Sequence, residues 1–170
     1  MALDRWDPFR DMMTVRDATS EDIPELVRII NAAFRVEDFF VNGDRTNRVD
    51  IAKRMSDPAV RFLVVDAADS VGLAAGVQVD VHEQRGHFAM LAVDPELQGR
   101  GLSRLLMNAL EEYCRAAGCE DLEIEVVNLR EELPAFYLAM GFVSVDTAPF
   151  PDTSKLRREA HMVRMTKRLL

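Results

Sequence analysis

The spacing of apolar residues divides the chain into helical and extended segments. Apolar residues recur at helical intervals after Thr19, where a hydroxyl followed by Asp22 marks a helix start. Further helices are predicted over Thr46–Ser56, Leu102–Ala117 and Glu131–Met140. Runs that are apolar, or that alternate apolar with polar positions, predict strands over Thr14–Ala18, Val60–Asp66, Gly72–His82, His87–Val93, Leu122–Val127, Gly141–Val145 and Glu159–Lys167.

The order of these segments predicts the fold class. Turns are expected at Asp69-Ser70 and at Glu83–Gly86, so the strands flanking each turn are expected to pair as antiparallel hairpins. Pro149 and Pro151 indicate a loop before the last strand. The resulting order, β-α-α-β-β-β-α-β-α-β-β, is typical of an α+β fold built around one mixed sheet.

Length and composition predict a single domain. The chain has 170 residues, of which 48% are hydrophobic and 29% charged, a balance typical of a globular protein. Residues 14–170 are interpreted as that domain and residues 1–13 as an N-terminal leader. No apolar run approaches the roughly 20 residues that span a bilayer, and the charged N-terminal segment has no apolar signal core. We therefore expect a cytoplasmic protein that does not bind membranes.

Charge and cysteine content narrow the class of partner. The formal net charge is −8, so the surface repels the phosphates of nucleic acids and favours cationic small molecules or basic peptides. The two cysteines, Cys114 and Cys119, have no histidine or further cysteine beside them in the sequence. This pattern predicts neither a disulfide framework nor a zinc site, and we expect no metal.

The most specific chemical signal is the turn Gln98–Ser103, which joins an apolar strand ending at Val93 to the longest predicted helix. Its two glycines, Gly99 and Gly101, allow the backbone to approach a ligand closely. The first N–H groups of a helix lack intrahelical partners and carry the positive end of its dipole, so the turn suits a phosphate group. The alternative is that the glycines only make a tight turn.

Two common phosphate-binding motifs do not fit this turn. A P-loop requires Gly-Lys-Ser/Thr after four spacer residues, and the turn contains no such triplet. A dinucleotide fingerprint requires a third glycine, but Arg104 occupies that position. The turn therefore indicates a different phosphate-containing ligand, and Arg100 and Arg104 add positive charge beside it.

The same turn, QGRGLS, resembles the pyrophosphate-binding motif of the GNAT superfamily of acyl-CoA-dependent N-acetyltransferases. That motif has Gln or Arg, two spacers, Gly, one spacer, and then Gly or Ala, which Ser103 replaces here. Other segments resemble the family in the same order along the chain. They are TVRDATSEDIPELVRIINAAF for its first strand and helix, LAVDPE for its fourth strand, LPAFYLAMGF for the region after its fifth strand, and HMVRMTKRL for its last strand.

The resemblance implies a mostly antiparallel mixed sheet flanked by helices, with a bulged fourth strand that splays from the fifth. In the family, acetyl-CoA binds in that splay as the co-substrate, with its pantetheine arm along backbone that corresponds here to Leu91, Ala92 and Val93. A backbone N–H in this stretch would polarise the thioester carbonyl. The residues implied to hold the diphosphate are Gln98, Gly99, Arg100, Gly101, Leu102, Ser103 and Arg104.

The resemblance also implies catalytic groups. Tyr137 matches the family's common acid position, where a phenol protonates the leaving thiolate, although the same residue would also pack its helix. His87 matches the first of two histidines that arylalkylamine N-acetyltransferases use as a proton relay, whereas Ala89 replaces the second. His87 is therefore the candidate base, with a simple strand-start histidine as the alternative. Other candidate bases are His82, Glu83, Glu123 and Glu125.

One position departs from the family pattern. Members often have an asparagine seven residues before the tyrosine, in contact with the CoA arm, and Arg130 occupies that position here. Asn128 lies nine residues before Tyr137 and does not match the spacing. Substrate recognition is expected from the first helix pair and from the loops around Phe39–Arg48 and Thr147–Arg158. The acidic residues that would attract an amine are Glu37, Asp38 and Asp44.

The sequence thus predicts an N-acetyltransferase that moves an acetyl group from acetyl-CoA to a primary amine of a small molecule or peptide. The expected assembly is a monomer or homodimer without a nucleic-acid partner. Two alternatives remain open, namely a non-catalytic acyl-CoA-binding regulatory module and a nucleotide-phosphate binder. The amine is not identified by any motif.

Overall fold

A single sheet organises the protein, and the computed structural model describes it through residues 13–68 and 71–169. Its strands are β1 (Val15–Asp17), β2 (Val60–Asp66), β3 (Leu73–His82), β4 (Arg85–Val93), β5 (Asp121–Val127), β6 (Val143–Pro149) and β7 (His161–Arg168). The α-helices in this part of the chain are α1 (Ile23–Phe34), α2 (Arg48–Met55), α3 (Leu102–Ala116) and α4 (Glu132–Ala139). Short 3₁₀ turns lie at Ser20–Asp22, Arg35–Glu37, Pro95–Leu97 and Thr153–Lys155.

The strand order is β1-β2-β3-β4-β5-β7-β6. Every neighbouring pair is antiparallel except β4 and β5, which run parallel because the long helix α3 carries the chain back between them. The predicted α+β fold with a mixed, mostly antiparallel sheet is confirmed. None of the described helices is long and apolar enough to cross a membrane.

Helices cover both faces of the sheet, and each face has its own core. On one face, α3 packs its apolar stripe, including Leu106 and Leu110, against β3, β4 and β5, with Phe142 in the same cluster. On the other face, α1 buries Leu26 and Ile29 against β3 and β4. The two faces of β4 therefore contact different helices, and each apolar side chain of the strand lies in one core or the other.

A buried ion pair anchors α3 to the last strand. Glu111 of α3 accepts a hydrogen bond of 2.6 Å from Nζ of Lys167 on β7, and Arg115 contacts its other oxygen at 3.2 Å. Because Glu111 is almost fully buried, both cations are needed to offset the cost of removing its carboxylate from water. The ion pair fixes the position of α3 over the sheet, and with it the turn that begins the helix.

The β3–β4 hairpin is longer and tighter than predicted. Strand β4 begins at Arg85, not His87, and the turn is confined to Glu83 and Gln84, where Glu83 adopts a left-handed backbone with φ of 55°. The prediction of a turn over Glu83–Gly86 is wrong because Gly86 was treated as a turn residue. Gly86 instead lies within the sheet, where a side chain would collide with Sγ of Cys114 at 2.6 Å.

The last hairpin also differs from its prediction. Strand β6 runs from Val143 to Pro149, whereas Gly141 ends α4 with φ of 95°. Pro149 fits because β6 is an edge strand, where a missing N–H breaks no bond to an outer neighbour. The predicted turn at Asp69-Ser70 and the predicted leader, apart from Met13, lie outside the described residues, so both stay predictions.

The aromatic cluster under the sheet provides a stability test. Phe142 is 0% exposed and contacts the rings of Phe88 and Tyr137, whereas its neighbour Val143 is 54% exposed. We expect Phe142→Ala to lower the free energy of unfolding by about 3 to 5 kcal/mol through lost contacts and a residual cavity. Val143→Ala should change it by less than about 0.5 kcal/mol. Urea unfolding measures both, and similar losses in the two variants would contradict the packing described.

Candidate active site

A gap between β4 and β5 is the central feature of the site. The two strands pair only from Arg85 to His87 against Asp121 to Glu123, and beyond this point no further pairs link them in the described sheet. Strand β5 is held away by β7, with which it pairs along its whole length. The gap therefore opens from His87 toward the carboxyl ends of both strands. The splay implied by the family resemblance is confirmed.

A bulge in β4 lies beside this gap. Opposite Gly76 and Gln78 of β3 stand Ala92 and Ala89, so β4 contains one extra residue between these pairs. Met90 takes a left-handed backbone with φ of 54°, which is strained for a side chain of this size. Its burial against the α1 core holds it in place. The implied bulge is confirmed, and it redirects the β4 backbone at the edge of the gap.

The bulge also changes which side chains face which core. Phe88 packs on the α3 side, but Ala89 and Met90 in succession both contact the α1 side. Alternation then resumes, with Leu91 on the α3 side and Ala92 on the α1 side. Because both faces of β4 are covered, the strand is a continuous apolar run in the sequence.

The glycine turn lies where β4 continues into α3. Gly99 and Gly101 both have φ of 79°, a conformation that strongly favours glycine. A Cβ added at Gly99 would meet no atom within 4 Å, so backbone conformation and not crowding requires glycine there. Gln98, Gly99 and Arg100 are exposed. The turn is therefore left-handed at two positions and open to ligand.

The first turn of α3 leaves its N–H groups available. Gly101 is the N-cap of the helix and has no side chain with which to accept a hydrogen bond. The first turn contains no acidic residue, and Asp94, before the glycine turn, caps the preceding 3₁₀ turn at the N–H of Glu96, 3.0 Å away, and pairs with Arg28 at 2.9 Å. The helix N-terminus thus presents unsatisfied donors and a positive dipole to an anionic group.

His87 lies at the vertex of the gap, on the α1 face of the sheet. Its Nδ1 is 3.2 Å from Oδ1 of Asp80 on β3, the residue directly opposite in the hairpin. This hydrogen bond raises the pKa of His87 above its ordinary value, although burial opposes the shift, and Glu125 and Glu123 act in the same direction as Asp80. A base at this position would therefore hold its proton to a higher pH than free histidine.

The other candidate bases are placed less favourably. His82 and Glu83 lie at the β3–β4 turn, at the closed end of the gap. Glu123 stands beside His87 in the β4–β5 register and contacts Arg85 at 3.5 Å, while Glu125 contacts Arg164 at 3.5 Å. Both glutamates already have cationic partners. His87 as base stays a prediction, and its position at the vertex supports it.

Tyr137 lies on the opposite face from His87. It is 4% exposed, and its ring contacts Phe88, Phe136 and Phe142 with centroid separations of 5.7, 5.0 and 5.6 Å in edge-to-face geometry. The residue therefore packs α4 against the sheet, whatever else it does. Burial raises the pKa of its phenol well above the ordinary value, and the nearby Arg130 only partly offsets this. The phenol stays protonated at neutral pH and can act only as a donor of that proton.

Arg130 and Asn128, the two residues near the position where the sequence departs from the family pattern, both have partners in the structure. Arg130 contacts Glu132 at 2.5 Å and Glu37, in the turn after α1, at 3.3 Å. Asn128 accepts a hydrogen bond of 2.9 Å from the N–H of His161 and donates its own N–H to the carbonyl of that residue. Arg130 thus ties the β5–α4 connection to the segment after α1, and Asn128 extends the β5–β7 ladder.

The two loops expected to recognise substrate are joined in the structure. Val41 pairs with Leu156 as an isolated bridge, and the N–H of Arg157 donates to the carbonyl of Phe40 at 2.7 Å. The guanidinium of Arg158 lies over the ring of Phe39, 5.5 Å from its centroid. The segment after α1 and the β6–β7 loop therefore form one surface beside the sheet.

Asp80 is the site residue that the sequence analysis missed. The predicted turn over Glu83–Gly86 obscured the pairing of β3 with β4. A two-residue turn at Glu83 and Gln84 sets His82 opposite Arg85 and therefore Asp80 opposite His87. The signal was available, since an acidic residue two positions before the end of one strand faces the histidine two positions into the next.

Comparison with known proteins identifies the family to which the chain belongs. The model described as "Acetyltransferase (GNAT) family" matches residues 23–142, a stretch that contains the bulged strand, the glycine turn and Tyr137. The chain belongs to the GNAT family of acetyltransferases. The resemblance to the GNAT superfamily is confirmed.

Individual relatives agree with this assignment. The chain is 29% identical over 151 residues to a mycothiol acetyltransferase of Propionibacterium freudenreichii subsp. shermanii, covering 84% of this chain and 44% of that relative. It therefore spans less than half the length of the curated relative it matches. Among solved structures, Ard1 of Thermoplasma volcanium superposes with a TM-score of 0.76 at 19% identity, covering 93% of this chain and 98% of the other.

A second solved structure has similar agreement. The ribosomal-protein-S18-alanine N-acetyltransferase of Escherichia coli superposes with a TM-score of 0.74 at 19% identity, covering 93% of this chain and 94% of the other. At such identities the likeness to both structures establishes the GNAT fold. Within the described residues, no three His, Cys, Asp or Glu side chains are grouped to hold a metal ion.

The burial of Tyr137 generates a test. We expect its phenol to stay protonated as the pH rises past about 10, the ordinary tyrosine pKa, because burial penalises the anion. The chain has two tyrosines, so the difference in tyrosinate absorbance between the native protein and Tyr137→Phe isolates this residue. A difference signal that titrates at or below about pH 10 would contradict the burial of the hydroxyl.

Proposed function

We propose that this protein transfers the acetyl group of acetyl-CoA to a primary amine of a small molecule or peptide, by direct attack of the amine on the thioester. The observation that carries the proposal is the gap between β4 and β5, whose open end leads directly to the glycine turn before α3. An extended ligand with a thioester at one end and a diphosphate further along matches both features.

The residues of the chain fit acetyl-CoA in two places. Beyond His87, the backbone of Leu91, Ala92 and Val93 faces the gap without a β5 partner in the described sheet, so it can bond the pantetheine arm. The diphosphate would lie on the N–H groups from Gln98 to Arg104, where the left-handed glycines and the uncapped helix start turn the donors outward. The co-substrate supplies an acetyl group activated as a thioester.

The proposed chemistry needs one proton acceptor and one proton donor. An amine is mostly protonated at neutral pH, so His87 removes a proton before or during attack. Tyr137 donates its phenolic proton to the departing thiolate sulfur. The two residues lie on opposite faces of the sheet, with Tyr137 against Phe88 and His87 beside Asp80.

Two features of the surroundings bear on the acceptor. The joined surface of the segment after α1 and the β6–β7 loop lies on the side where the amine would enter. Of the acidic residues expected to attract that amine, Glu37 is half-buried and already pairs with Arg130, while Asp44 contacts Arg35 at 4.0 Å. The acidic groups nearest the vertex are instead Asp80, Glu123 and Glu125.

The identity of the amine is left to experiment. A polyamine, an arylalkylamine, an amino acid, an aminoglycoside and a peptide N-terminus form a suitable panel, with mycothiol-related amines added because of the curated relative. A cytoplasmic location, a monomeric or homodimeric state and the lack of a nucleic-acid partner stay predictions.

The release of free CoA thiol tests the transfer itself. With acetyl-CoA and a suitable amine from the panel, we expect turnover by the native protein and a loss of about 10²-fold or more in kcat for Tyr137→Phe, with little change in the KM for acetyl-CoA. Phenylalanine keeps the ring contacts and removes only the hydroxyl. An unchanged kcat would exclude Tyr137 as the acid. Binding of acetyl-CoA without turnover of any amine would favour the non-catalytic module.

The glycine turn allows a matched test of co-substrate binding. Gly99 and Gly118, near opposite ends of α3, have φ of 79° and 83°, and an added Cβ meets no atom within 4 Å at either. We expect alanine at each position to cost about 1 to 2 kcal/mol of stability. Only Gly99→Ala should also weaken acetyl-CoA binding, by about ten-fold or more.

Calorimetric titration with acetyl-CoA, and with ATP and NAD as controls, measures this binding. Equal affinities in the two variants would contradict a diphosphate site at the turn. Tighter binding of ATP or NAD than of acetyl-CoA would favour the nucleotide-phosphate alternative.

A further inference from the structure

The register of the β3–β4 hairpin places a carboxylate directly behind the proposed base. Asp80 and His87 are cross-strand partners, and Oδ1 of Asp80 lies 3.2 Å from Nδ1 of His87. The side chain of Asp80 is 14% exposed and that of His87 is 39% exposed, so the carboxylate is better shielded from water than the ring. Burial is the largest single effect and would raise the pKa of Asp80. The hydrogen bonds from His87 and Gln78, together with the charges of His87 and His82, outweigh it and leave that pKa below its ordinary value.

We propose that Asp80 is the positioning residue for His87: it holds the Nδ1–H tautomer, leaving Nε2 as the nitrogen that accepts the proton of the amine. A neutral imidazole has one donor and one acceptor nitrogen, and an anionic carboxylate can only accept. Asp80 therefore keeps the proton on Nδ1. The inference rests on the proposed function only in its claim that Nε2 acts as the base.

Asp80 is itself held from the helical side. Gln78 donates to Oδ1 of Asp80 at 3.4 Å and accepts from Nη1 of Arg54 at 2.9 Å. Nε of Arg54 in turn donates to Asp50 at 3.0 Å, within α2. A chain of polar contacts thus runs from α2 across β3 to the imidazole. It restricts the carboxylate to one orientation, which a solvated aspartate would not keep.

Several other titratable groups lie near His87, and their effects on it must be distinguished from the effect of Asp80. From β3, His82 contacts the second oxygen of Asp80 at 3.2 Å, but its side chain is 67% exposed. From β5, Glu123 and Glu125 contribute negative charge, and each contacts an arginine at 3.5 Å. Asp80 differs from all of these in bonding the His87 ring directly. Removing a neighbouring charge and removing the ring contact are therefore distinguishable.

Nitrogen NMR of the histidine side chains tests the pairing without any substrate. The chain has three histidines, so His87 is assigned by comparison with His87→Gln. In the native protein we expect neutral His87 to carry its proton on Nδ1. In Asp80→Asn we expect the pKa of His87 to fall and the preference for the Nδ1–H tautomer to weaken. A neutral His87 with its proton on Nε2 in the native protein would overturn the proposal.

Two control variants sharpen the measurement. Glu123→Gln removes a nearby charge without touching the ring, so it should lower the pKa of His87 while leaving the tautomer unchanged. His82→Asn removes the second imidazole on Asp80 and should leave the His87 tautomer as it is. A loss of tautomer preference in Glu123→Gln equal to that in Asp80→Asn would show that general charge, not positioning, is responsible, and would overturn the proposal.

Kinetics on the native enzyme then link the pair to turnover. A base is active when deprotonated, so kcat/KM falls as the pH drops through the pKa of His87. Because Asp80 raises that pKa, Asp80→Asn should move this acidic limb to lower pH and reduce kcat roughly 10- to 100-fold, with the KM for acetyl-CoA unchanged. Asp80→Glu should restore part of the loss.

The outcomes separate this inference from the proposed function. An acidic limb that stays in place in Asp80→Asn, with full kcat, would overturn the positioning role and leave the acetyltransferase intact. If NMR detects the pairing of Asp80 with His87 but the protein acetylates no amine, the proposed function is overturned and the pairing is supported. Near-native circular dichroism and unfolding midpoints for Asp80→Glu keep the kinetic arm valid if Asp80→Asn is unstable.

Discussion

The separation of β4 from β5 is the constraint on which the rest of this structure depends. The strands share only three register pairs, from Arg85 to His87. Strand β5 follows β7 along its whole length, and β4 follows β3, so each strand is committed to a different partner beyond His87. The extra residue at the bulge lets β4 remain paired with β3 while its backbone turns. A sheet that would otherwise be continuous therefore contains a gap, and along it the backbone of β4 has no β5 partner beyond His87.

Because the gap lies within a sheet covered on both faces, its two sides have different chemistry. The α3 side is apolar and aromatic, and it buries Tyr137 so that the phenol keeps its proton. On the α1 side a polar row crosses the strands, with Asp80, His87 and Glu123 as cross-strand neighbours. An environment that keeps a phenol protonated thus lies on the opposite face of the sheet from one that raises the pKa of an imidazole.

Arg130 connects segments that are distant in the sequence. Arg130 stands where many family members have asparagine, and it bridges Glu132 and the half-buried Glu37. The bridge fixes the segment after α1, which the β6–β7 loop then joins through Val41 and Leu156. This surface is therefore assembled from distant parts of the chain by ion pairs and backbone bonds.

Features that depend on local backbone chemistry could be predicted from the sequence. The helix start at Thr19, the α3 stripe and the turn at Gly99 and Gly101 each follow from a few neighbouring residues, and all of these agree with the structure. The family resemblance then correctly supplied the splay and the bulge. The turn at Glu83 was misjudged because Gly86, a residue that local rules assign to turns, is required in the strand by contact with Cys114.

Contacts between distant segments were decided only by the tertiary structure. The pairing of Asp80 with His87 depends on the register of the β3–β4 hairpin. The turn has two residues and not the predicted four, and this difference shifts the register and brings the two residues opposite each other. The link from Arg130 to Glu37 joins residues that are 93 positions apart, and no periodicity in either segment points to the other. Local propensity acts over a few residues, whereas these contacts exist only once the sheet has fixed the positions of its strands. The sequence by itself therefore determined the elements and the family, and the folded sheet determined which side chains meet at the gap.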